Sequence, residues 1–251
     1  MSSSIWMQCE GDSRIGELSL EPWRAVESQH QVATRKLVDS DAEQRVLEEL
    51  IEGAKPAERA HAHLHYLLFT PFRYPPLRHG SRFGTRTDAG IWYGSETQRT
   101  AFAEVAYYRL LFLEGTAADL ELVETELTTF TSLVRAQRGV DLQAPPFSSY
   151  EREFTSPISY LEAQALGESM REAEVEAFRY RSARDVEGGT NVGVLSPSAF
   201  GTREPRQLES WHCSATRSGV ELTRRDYFSR GVHTFYRQEF LVGGSLPAPA
   251  L

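Results

Sequence analysis

Cysteine and long apolar runs are both scarce in this sequence. Cys9 and Cys213 are its only cysteines, too few and too far apart for a disulfide framework or a thiolate zinc cluster. No run of about 18 apolar residues occurs, so no segment fits a transmembrane helix. Residues 1–16 also lack the basic and apolar regions of a signal peptide. We therefore expect a cytoplasmic protein with no membrane partner.

Positive charge is scarce as well, and lysine is nearly absent. The 251 residues carry 27 Lys and Arg against 35 Asp and Glu, a net charge of −8. Such a surface repels phosphate backbones, so we expect no direct contact with nucleic acid. Only Lys36 and Lys55 are lysine, and the other basic residues are arginines, whose planar guanidinium groups hold phosphate or carboxylate through paired hydrogen bonds. An anionic ligand would be held by local arginines.

Helical patterns come early in the chain and strand patterns late. Residues 21–54 have the apolar spacing of one or two amphipathic helices, and residues 61–72 alternate like a strand. After a loop rich in proline and glycine, a short strand at 90–95 leads into a helix from about 96 to 114, which begins in a capping box of Ser95 and Gln98. Beyond it we predict a long strand at 119–134 and a helix at 160–175. Five further strands are predicted at 177–182, 190–196, 207–216, 219–228 and 232–241.

This order of elements predicts an α+β fold, with a mainly antiparallel split sheet and flanking helices. We divide the chain into an N-terminal helical segment, residues 1–55, a catalytic domain, residues 56–243, and a flexible tail, residues 244–251.

One acidic residue lies in a helix that is otherwise apolar on nearly every side. No lysine or arginine stands three or four residues from Glu104 to neutralise it. A carboxylate desolvated there costs several kcal/mol unless a partner from elsewhere reaches it. Two interpretations remain open. Glu104 either reaches solvent or pairs structurally with Arg82, or it lines a cleft and faces a cation or an electron-poor carbon.

Arg82 and Tyr93 precede Glu104 at intervals of eleven residues. Arg82 lies in a loop flanked by glycine, where a guanidinium group can approach an anion closely, and Tyr93 lies on the short strand that leads into the Glu104 helix. Each residue alone is ordinary, since most arginines are solvated and most strand tyrosines belong to the core. Together they form a candidate site.

These residues stand in stretches that resemble the RES-domain family, the toxin halves of RES–Xre toxin–antitoxin pairs. The resemblance rests on "LLFTPFRYPPLRHGSRFG", "GIWYGSETQRTAFAEVAYYR" and "FRYRSARDVEGGTNVGVLSPSAF", and it covers roughly residues 40 to 240. The family is named for an arginine, a glutamate and a serine. On this resemblance they are Arg82, Glu104 and Ser182, with Tyr93 between the first two.

The resemblance implies the fold of the diphtheria-toxin-type ADP-ribosyltransferases and NAD as a substrate that is consumed. Neither G-x-G-x-x-G nor G-x-x-x-x-G-K-[ST] occurs, so NAD would not be bound as in a dehydrogenase, and no cofactor is expected. The implied catalytic residues are Glu104, Arg82, Tyr93 and Ser182. Glu104 would stabilise the cationic ribose carbon, and Arg82 would bind the pyrophosphate. Tyr93 would stack on nicotinamide or ribose, and Ser182 would form a hydrogen bond with ribose or phosphate. Arg73 and Asn191 are further substrate-binding candidates.

The function that follows from the resemblance is a toxin that depletes NAD by hydrolysis or phosphorolysis of the nicotinamide–ribose bond. Phosphate would then be a second substrate in the phosphorolytic case. The alternative is mono-ADP-ribosylation of a protein. The implied partner is an antitoxin of Xre type, and the sequence is also compatible with a homo-oligomer.

Three rival interpretations remain. His61, His63 and His65 would share one face of a strand and could bind zinc, although no cysteine or suitably spaced acid supports them, and we predict no metal. A glycosidase needs a second positioned carboxylate, which nothing near Glu104 supplies. A module that binds nucleotide without catalysis would keep Arg82 and Tyr93 but leave NAD intact.

Overall fold

Ten β-strands make up one sheet in this computed structural model, which describes residues 4–28, 40, 42, 43, 46, 50, 63–73, 79–118, 120–226 and 231–249. In chain order the strands are β1 Gly16–Leu20, β2 Trp23–Glu27, β3 Trp92–Ser95, β4 Val123–Thr131, β5 Val134–Asp141, β6 Ala177–Arg181, β7 Thr190–Val194, β8 Arg206–Thr216, β9 Gly219–Arg224 and β10 Val232–Tyr236. They lie side by side in the order β1-β5-β6-β7-β3-β2-β4-β8-β9-β10. Every neighbouring pair is antiparallel except β5 and β6, so the predicted mainly antiparallel sheet is confirmed.

The middle of the sheet contains a seam. β2 and β3 are paired at one position only, Trp23 with Ser95. On the far side of each strand the pairing is longer, since β2 pairs with β4 from Trp23 to Glu27 and β3 pairs with β7 along its whole length. The sheet therefore falls into two halves, and the strands that border the seam have unpaired stretches facing one another.

Helices flank the sheet, as predicted. Within the described residues they are α1 Ile5–Gln8, α2 Tyr66–Arg73, α3 Gln98–Gly115, α4 Glu151–Phe154 and α5 Leu161–Glu172. The predicted helices at 96–114 and 160–175 correspond to α3 and α5, and β6 to β10 correspond to the five predicted late strands. No described helix is long and apolar enough to cross a membrane.

Helix α3 is apolar on most sides because it packs against several elements at once. Its buried side chains, among them Phe102, Ala106 and Leu110, share a cluster with Trp211 on β8 and Leu222 on β9. Burial of this kind contributes about 1.5–3 kcal/mol for each large apolar side chain. The helix begins two residues later than the capping box predicts. Its N-cap is Thr97, whose hydroxyl accepts a hydrogen bond from the Thr100 N–H at 3.1 Å.

Two predictions for the N-terminal half are wrong. Trp23–Glu27 is strand β2 and not part of a helix, because it pairs with β4 along its length and forms one wall of the seam. Tyr66–Arg73 is helix α2 and not a strand, because Leu68 and Phe69 face the core with helical spacing, with Phe72 packed beside them. Beyond residue 28 the structure describes residues 40, 42, 43, 46 and 50 of the predicted helical region at 21–54, and the last four of these are helical; the other residues of that region lie outside the described ones. The proposed domain boundaries remain a prediction.

Helix α2 contains a proline in its interior. Pro71 has no N–H to donate to the Leu67 carbonyl four residues earlier. The indole N–H of Trp92 donates to that carbonyl instead, at 3.3 Å. The helix is thereby joined to strand β3 at the point where its own hydrogen bonding fails.

The C-terminal tail is not free over its whole predicted length. Leu246 is buried in the cluster around α3, and the hydroxyl of Tyr107 donates to the Pro247 carbonyl at 2.5 Å. The flexible tail over residues 244–251 stays a prediction, and Leu246 and Pro247 are the described residues in it that contact α3.

Candidate functional site

A cavity of about 680 Å³ opens beside the seam, within the range of about 300–1,000 Å³ that is typical of small-molecule sites. Strands β2 and β3, helix α3 and the loop that precedes β3 form its walls. Its polar and aromatic lining consists of Trp23, Arg24, Glu27, Thr70, Ser81, Arg82, Tyr93, Ser95, Glu104, Tyr108, Arg109, Tyr160, Tyr180 and Asn191. The sheet seam thus creates a site that carries both charged and aromatic groups.

Glu104 reaches this cavity from α3, and its partners come from the far half of the sheet. Its Oε1 accepts hydrogen bonds from the Ser182 hydroxyl at 2.8 Å and from the Asn191 amide at 2.6 Å. The Asn191 amide oxygen in turn accepts from the Ser95 hydroxyl at 2.7 Å. Both donors to Glu104 end on Oε1, and Oε2 accepts none from the described residues. One oxygen therefore fixes the carboxylate, and the other remains available to a ligand.

No described arginine forms an ion pair with Glu104. The interpretation of a structural pair with Arg82 is therefore not what the structure shows. The half-buried carboxylate is stabilised by neutral donors and keeps its negative charge uncompensated by a side-chain cation. A carboxylate so arranged is suited to stabilise positive charge that develops on a ligand.

Ser182 lies behind Glu104 and not in the cavity lining. Its hydroxyl donates to Glu104 and accepts the backbone N–H groups of Arg184 and Asp185, each at 3.1 Å. A serine hydroxyl has one donor and two acceptor positions, and all three are used here. The predicted hydrogen bond from Ser182 to ribose or phosphate does not fit these contacts. The structure gives Ser182 the position of a residue that orients Glu104.

The turn that carries Ser182 is fastened to the beginning of α3. The carboxylate of Asp185, which is buried, accepts from the Thr100 hydroxyl at 2.8 Å and forms an ion pair with Arg99. Gly189 allows this close approach, because a Cβ there would lie 2.0 Å from the Thr100 hydroxyl oxygen. Asp185 therefore holds the turn that carries Ser182 against the helix that supplies Glu104.

Arg82 lines the cavity, but part of its guanidinium group has a structural role. Its Nη1 donates to the Ser156 carbonyl at 2.8 Å and to the Phe154 carbonyl at 3.4 Å, and the group stacks over the Tyr160 ring at 4.7 Å. Its Nε and Nη2 donate to no described residue. A guanidinium group carries five N–H donors, so Arg82 can hold an anion without giving up these contacts.

Tyr93 holds the loop on which Arg82 lies. Its hydroxyl is within hydrogen-bond distance of the Ser81 hydroxyl, at 2.9 Å, and accepts the Phe83 N–H at 3.2 Å. These are the two residues on either side of Arg82. Burial raises the pKa of Tyr93 to about 12, so the phenol is neutral and keeps its proton at neutral pH. The ring lines the cavity while the hydroxyl positions Arg82.

Two predicted substrate-binding residues remain, Arg73 and Asn191. Arg73 ends α2, which contributes Thr70 and Pro71 to the cavity, but Arg73 is not among the described lining residues. Asn191, in contrast, lies at the centre of the site. Its role as a substrate-binding residue stays a prediction, as does that of Arg73.

The histidine row does not form a metal site in the described part of the chain. His61 lies outside the described residues. His65 accepts the Leu67 N–H on Nδ1 at 3.3 Å just before α2, and His63 lies in a turn, so neither of these two residues is on a strand. No group of three potential ligands that could hold a metal occurs among the described residues.

Sequence analysis overlooked several residues of the cavity. Arg24 on β2 lines it, and its Nη1 donates to the Tyr93 carbonyl at 2.8 Å. Tyr180 on β6 also lines it, and burial raises its pKa well above the usual range, with the nearby Glu104 charge adding to the effect. The alternation of "AFRYRS" could have assigned Tyr180 to one face of a strand. No local signal distinguishes Arg24 from the other arginines.

The comparisons with known proteins bear on this geometry. The RES domain model matches residues 56–215, which is more than half of the chain. The chain belongs to the RES-domain family. Among solved structures, the toxin chain MbcT in the crystal structure of the M. tuberculosis MbcT-MbcA toxin–antitoxin complex is similar, with a TM-score of 0.50 and 15% sequence identity over 86% of this chain and 94% of that chain. No curated protein matches the chain.

Membership of the RES-domain family agrees with the resemblance seen in the sequence. The matched range contains Arg82, Glu104, Ser182 and Asn191, whereas β1 and β2 precede it. At 15% identity the likeness to MbcT concerns the fold alone.

Proposed function

We propose that this RES-domain protein consumes NAD by cleaving the bond between nicotinamide and ribose. The observation that carries the proposal is the Glu104 carboxylate, fixed through one oxygen by Ser182 and Asn191 at the edge of a cavity of about 680 Å³. Because the carboxylate is oriented before any ligand arrives, no reorganisation is needed when charge develops near it.

The chemistry requires such a group. As the C–N bond to nicotinamide breaks, its electron pair leaves with nicotinamide, and the ribose carbon becomes cationic. The Glu104 carboxylate stabilises this charge, and its Oε2 is free to accept a hydrogen bond from a ribose hydroxyl or from the incoming nucleophile. With water the products are ADP-ribose, nicotinamide and a proton; with phosphate, ADP-ribose 1″-phosphate replaces ADP-ribose.

The rest of the cavity supports a dinucleotide. The unused N–H groups of Arg82 suit a diphosphate. The rings of Tyr93, Tyr160 and Tyr180 line the same space, and of these Tyr93 is our candidate for stacking on nicotinamide or ribose. The split sheet around a glutamate-bearing helix is also consistent with our further proposal that the fold is related to ADP-ribosyltransferases of diphtheria-toxin type.

We infer that the biological role is that of a toxin with an antitoxin partner. Family membership supports this inference, as does the similarity to a chain from a toxin–antitoxin complex. Depletion of NAD would stop growth, and an antitoxin of Xre type would block the cavity and supply the DNA binding for which this acidic chain is unsuited.

The test is incubation of the purified protein with NAD, with and without phosphate, followed by identification of the products by mass. ADP-ribose, its 1″-phosphate or an ADP-ribosylated protein separates hydrolysis, phosphorolysis and protein modification, since one geometry at the ribose carbon serves all three. Intact NAD in every reaction contradicts the proposal and favours a module that binds nucleotide without catalysis.

Glu104→Gln is the decisive variant because it removes the charge and keeps the shape. We expect kcat to fall about 10²- to 10³-fold, as for the loss of a preorganised electrostatic contact of about 3–4 kcal/mol. Glu168→Gln is the matched control, since Glu168 is exposed on α5 and makes no described contact. Expression of the wild type alone should arrest growth while Glu104→Gln does not. Equal growth of both strains would count against the role as a toxin.

A further inference from the structure

Strand β2 places an arginine in the cavity wall on the side away from the Ser182 turn. Arg24 donates through Nη1 to the Tyr93 carbonyl at 2.8 Å and stacks over the Trp92 ring at 5.2 Å. Its Nε is buried and has no hydrogen-bond partner in the structure. Apart from the bond to Tyr93, its N–H groups donate to no described residue.

The charge of Arg24 has no carboxylate partner among the described residues. The two acids that share its cavity are engaged elsewhere, since Glu27 forms an ion pair with Arg109 and Glu104 accepts from Ser182 and Asn191. Burial lowers the pKa of Arg24 to about 10, so the guanidinium group remains charged at neutral pH. An unpaired cation removed from water is unfavourable, and an anion in the cavity would relieve that cost.

Arg24 is also connected to the rest of the site. Tyr93 contacts it through the backbone carbonyl, while the hydroxyl of the same residue holds the two residues that flank Arg82. Strand β2 lies outside the range that the RES domain model matches, so membership of the family assigns nothing to Arg24. The residue is a feature of this chain's own N-terminal segment.

We propose that Arg24 on β2 forms a phosphate-binding subsite of the cavity, because its guanidinium group lies unpaired in the cavity wall. This subsite lies outside the residues that the RES domain model matches. The ligand is a phosphate group, either one phosphate of the dinucleotide or the inorganic phosphate that would attack the ribose. The choice between these sources rests on the proposed function, whereas the subsite itself does not.

Direct binding tests the subsite without any turnover. Titration calorimetry with ADP-ribose and, separately, with inorganic phosphate should give a Kd that is about 10- to 100-fold higher in Arg24→Gln for one of the two ligands, the loss expected for one charge-assisted contact. Arg135→Gln, which alters an exposed arginine on β5, should bind both ligands as the wild type does. Arg24→Lys keeps the positive charge but lacks the planar guanidinium group, so its Kd should lie between those of the wild type and Arg24→Gln.

Each outcome has a clear meaning. Loss of ADP-ribose binding assigns Arg24 to the dinucleotide, and loss of phosphate binding assigns it to the co-substrate. Equal affinities of the wild type and Arg24→Gln for both ligands overturn the subsite, as does a wild type that binds neither. If Arg24→Gln does not fold, as judged by thermal denaturation, Arg24→Lys decides by the same criteria. A wild type that binds ADP-ribose through Arg24 but leaves NAD intact refutes the proposed enzyme and leaves the subsite standing.

Discussion

Substitution of Ser182 by alanine distinguishes a residue that orients Glu104 from one that touches the substrate. The change removes the hydroxyl that donates to Glu104 Oε1 at 2.8 Å and leaves Asn191 as the single described donor to that oxygen. A hydrogen bond to a charged group contributes about 1.5–3 kcal/mol. If this contact fixes the carboxylate for the transition state, kcat should fall about 10- to 100-fold while KM changes little.

The same substitution should lower stability. The hydroxyl oxygen of Ser182 accepts the N–H groups of Arg184 and Asp185, and the serine is only 6% exposed, so water cannot easily replace it. Each unsatisfied N–H costs about 1–3 kcal/mol, so the two together give a loss of about 2–6 kcal/mol in the free energy of unfolding and lower Tm by about 4–24 °C. Urea and thermal denaturation of the wild type and Ser182→Ala measure this loss of stability.

Steady-state release of nicotinamide from NAD measures the kinetic part of the prediction. Ser198→Ala is the matched control, since Ser198 also donates to a glutamate, Glu176, at 2.9 Å, but it lies outside the cavity. This control should keep both kcat and KM. A variant at Ser182 with normal kcat and a raised KM would refute the orienting role and return Ser182 to direct contact with the substrate.

Two further predictions concern stability. The pKa of Tyr93 and of Tyr107 is raised by burial to about 12, and that of Tyr180 is raised as well, so these phenols ionise first in the unfolded chain, near pH 10. The stability that these buried neutral phenols contribute is complete below about pH 10 and is lost as the pH rises toward 12. A free energy of unfolding that stays constant between pH 10 and 12, measured by urea denaturation, would contradict this prediction. In Gly189→Ala the new Cβ would lie 2.0 Å from the Thr100 hydroxyl oxygen, and we expect a loss of about 1–3 kcal/mol together with a reduced kcat, since the Ser182 turn is displaced from α3. Unchanged stability and kcat in that variant would show that the turn is not tightly fixed.

Sequence periodicity predicted the second half of the fold better than the first. Strands such as β8 bury alternate residues, and this period of two can be read directly from Trp211, Cys213 and Ala215. Strand β2 has no such pattern, because its residues from Trp23 to Val26 are all partly buried at the seam. The alternating histidines that precede α2 suggested a strand and obscured the helical face of Leu68 and Phe69. The Leu67 carbonyl of this helix accepts the Trp92 indole N–H, a contact that the sequence does not show.

Several residues of the candidate site could be predicted from the sequence, but the hydrogen bonds between them could not. Glu104 was singled out by the cost of burying a carboxylate, yet the donors that meet this cost stand 78 and 87 residues away in the chain. Only the pairing of β6, β7 and β3 brings Ser182 and Asn191 to the helix. The contact of Ser182 with Glu104 could not be predicted for the same reason, since a sequence shows which groups can donate but not which acceptor they find.

The arrangement around Glu104 joins catalysis to the folding of the seam. The carboxylate comes from α3, its donors come from one half of the sheet, and the Arg24 wall belongs to the other half, so the cavity exists only when both halves meet at the pair of Trp23 with Ser95. Ser95 is part of that pair and also orients Asn191. A perturbation that opens the seam therefore disturbs the carboxylate and the cavity wall together.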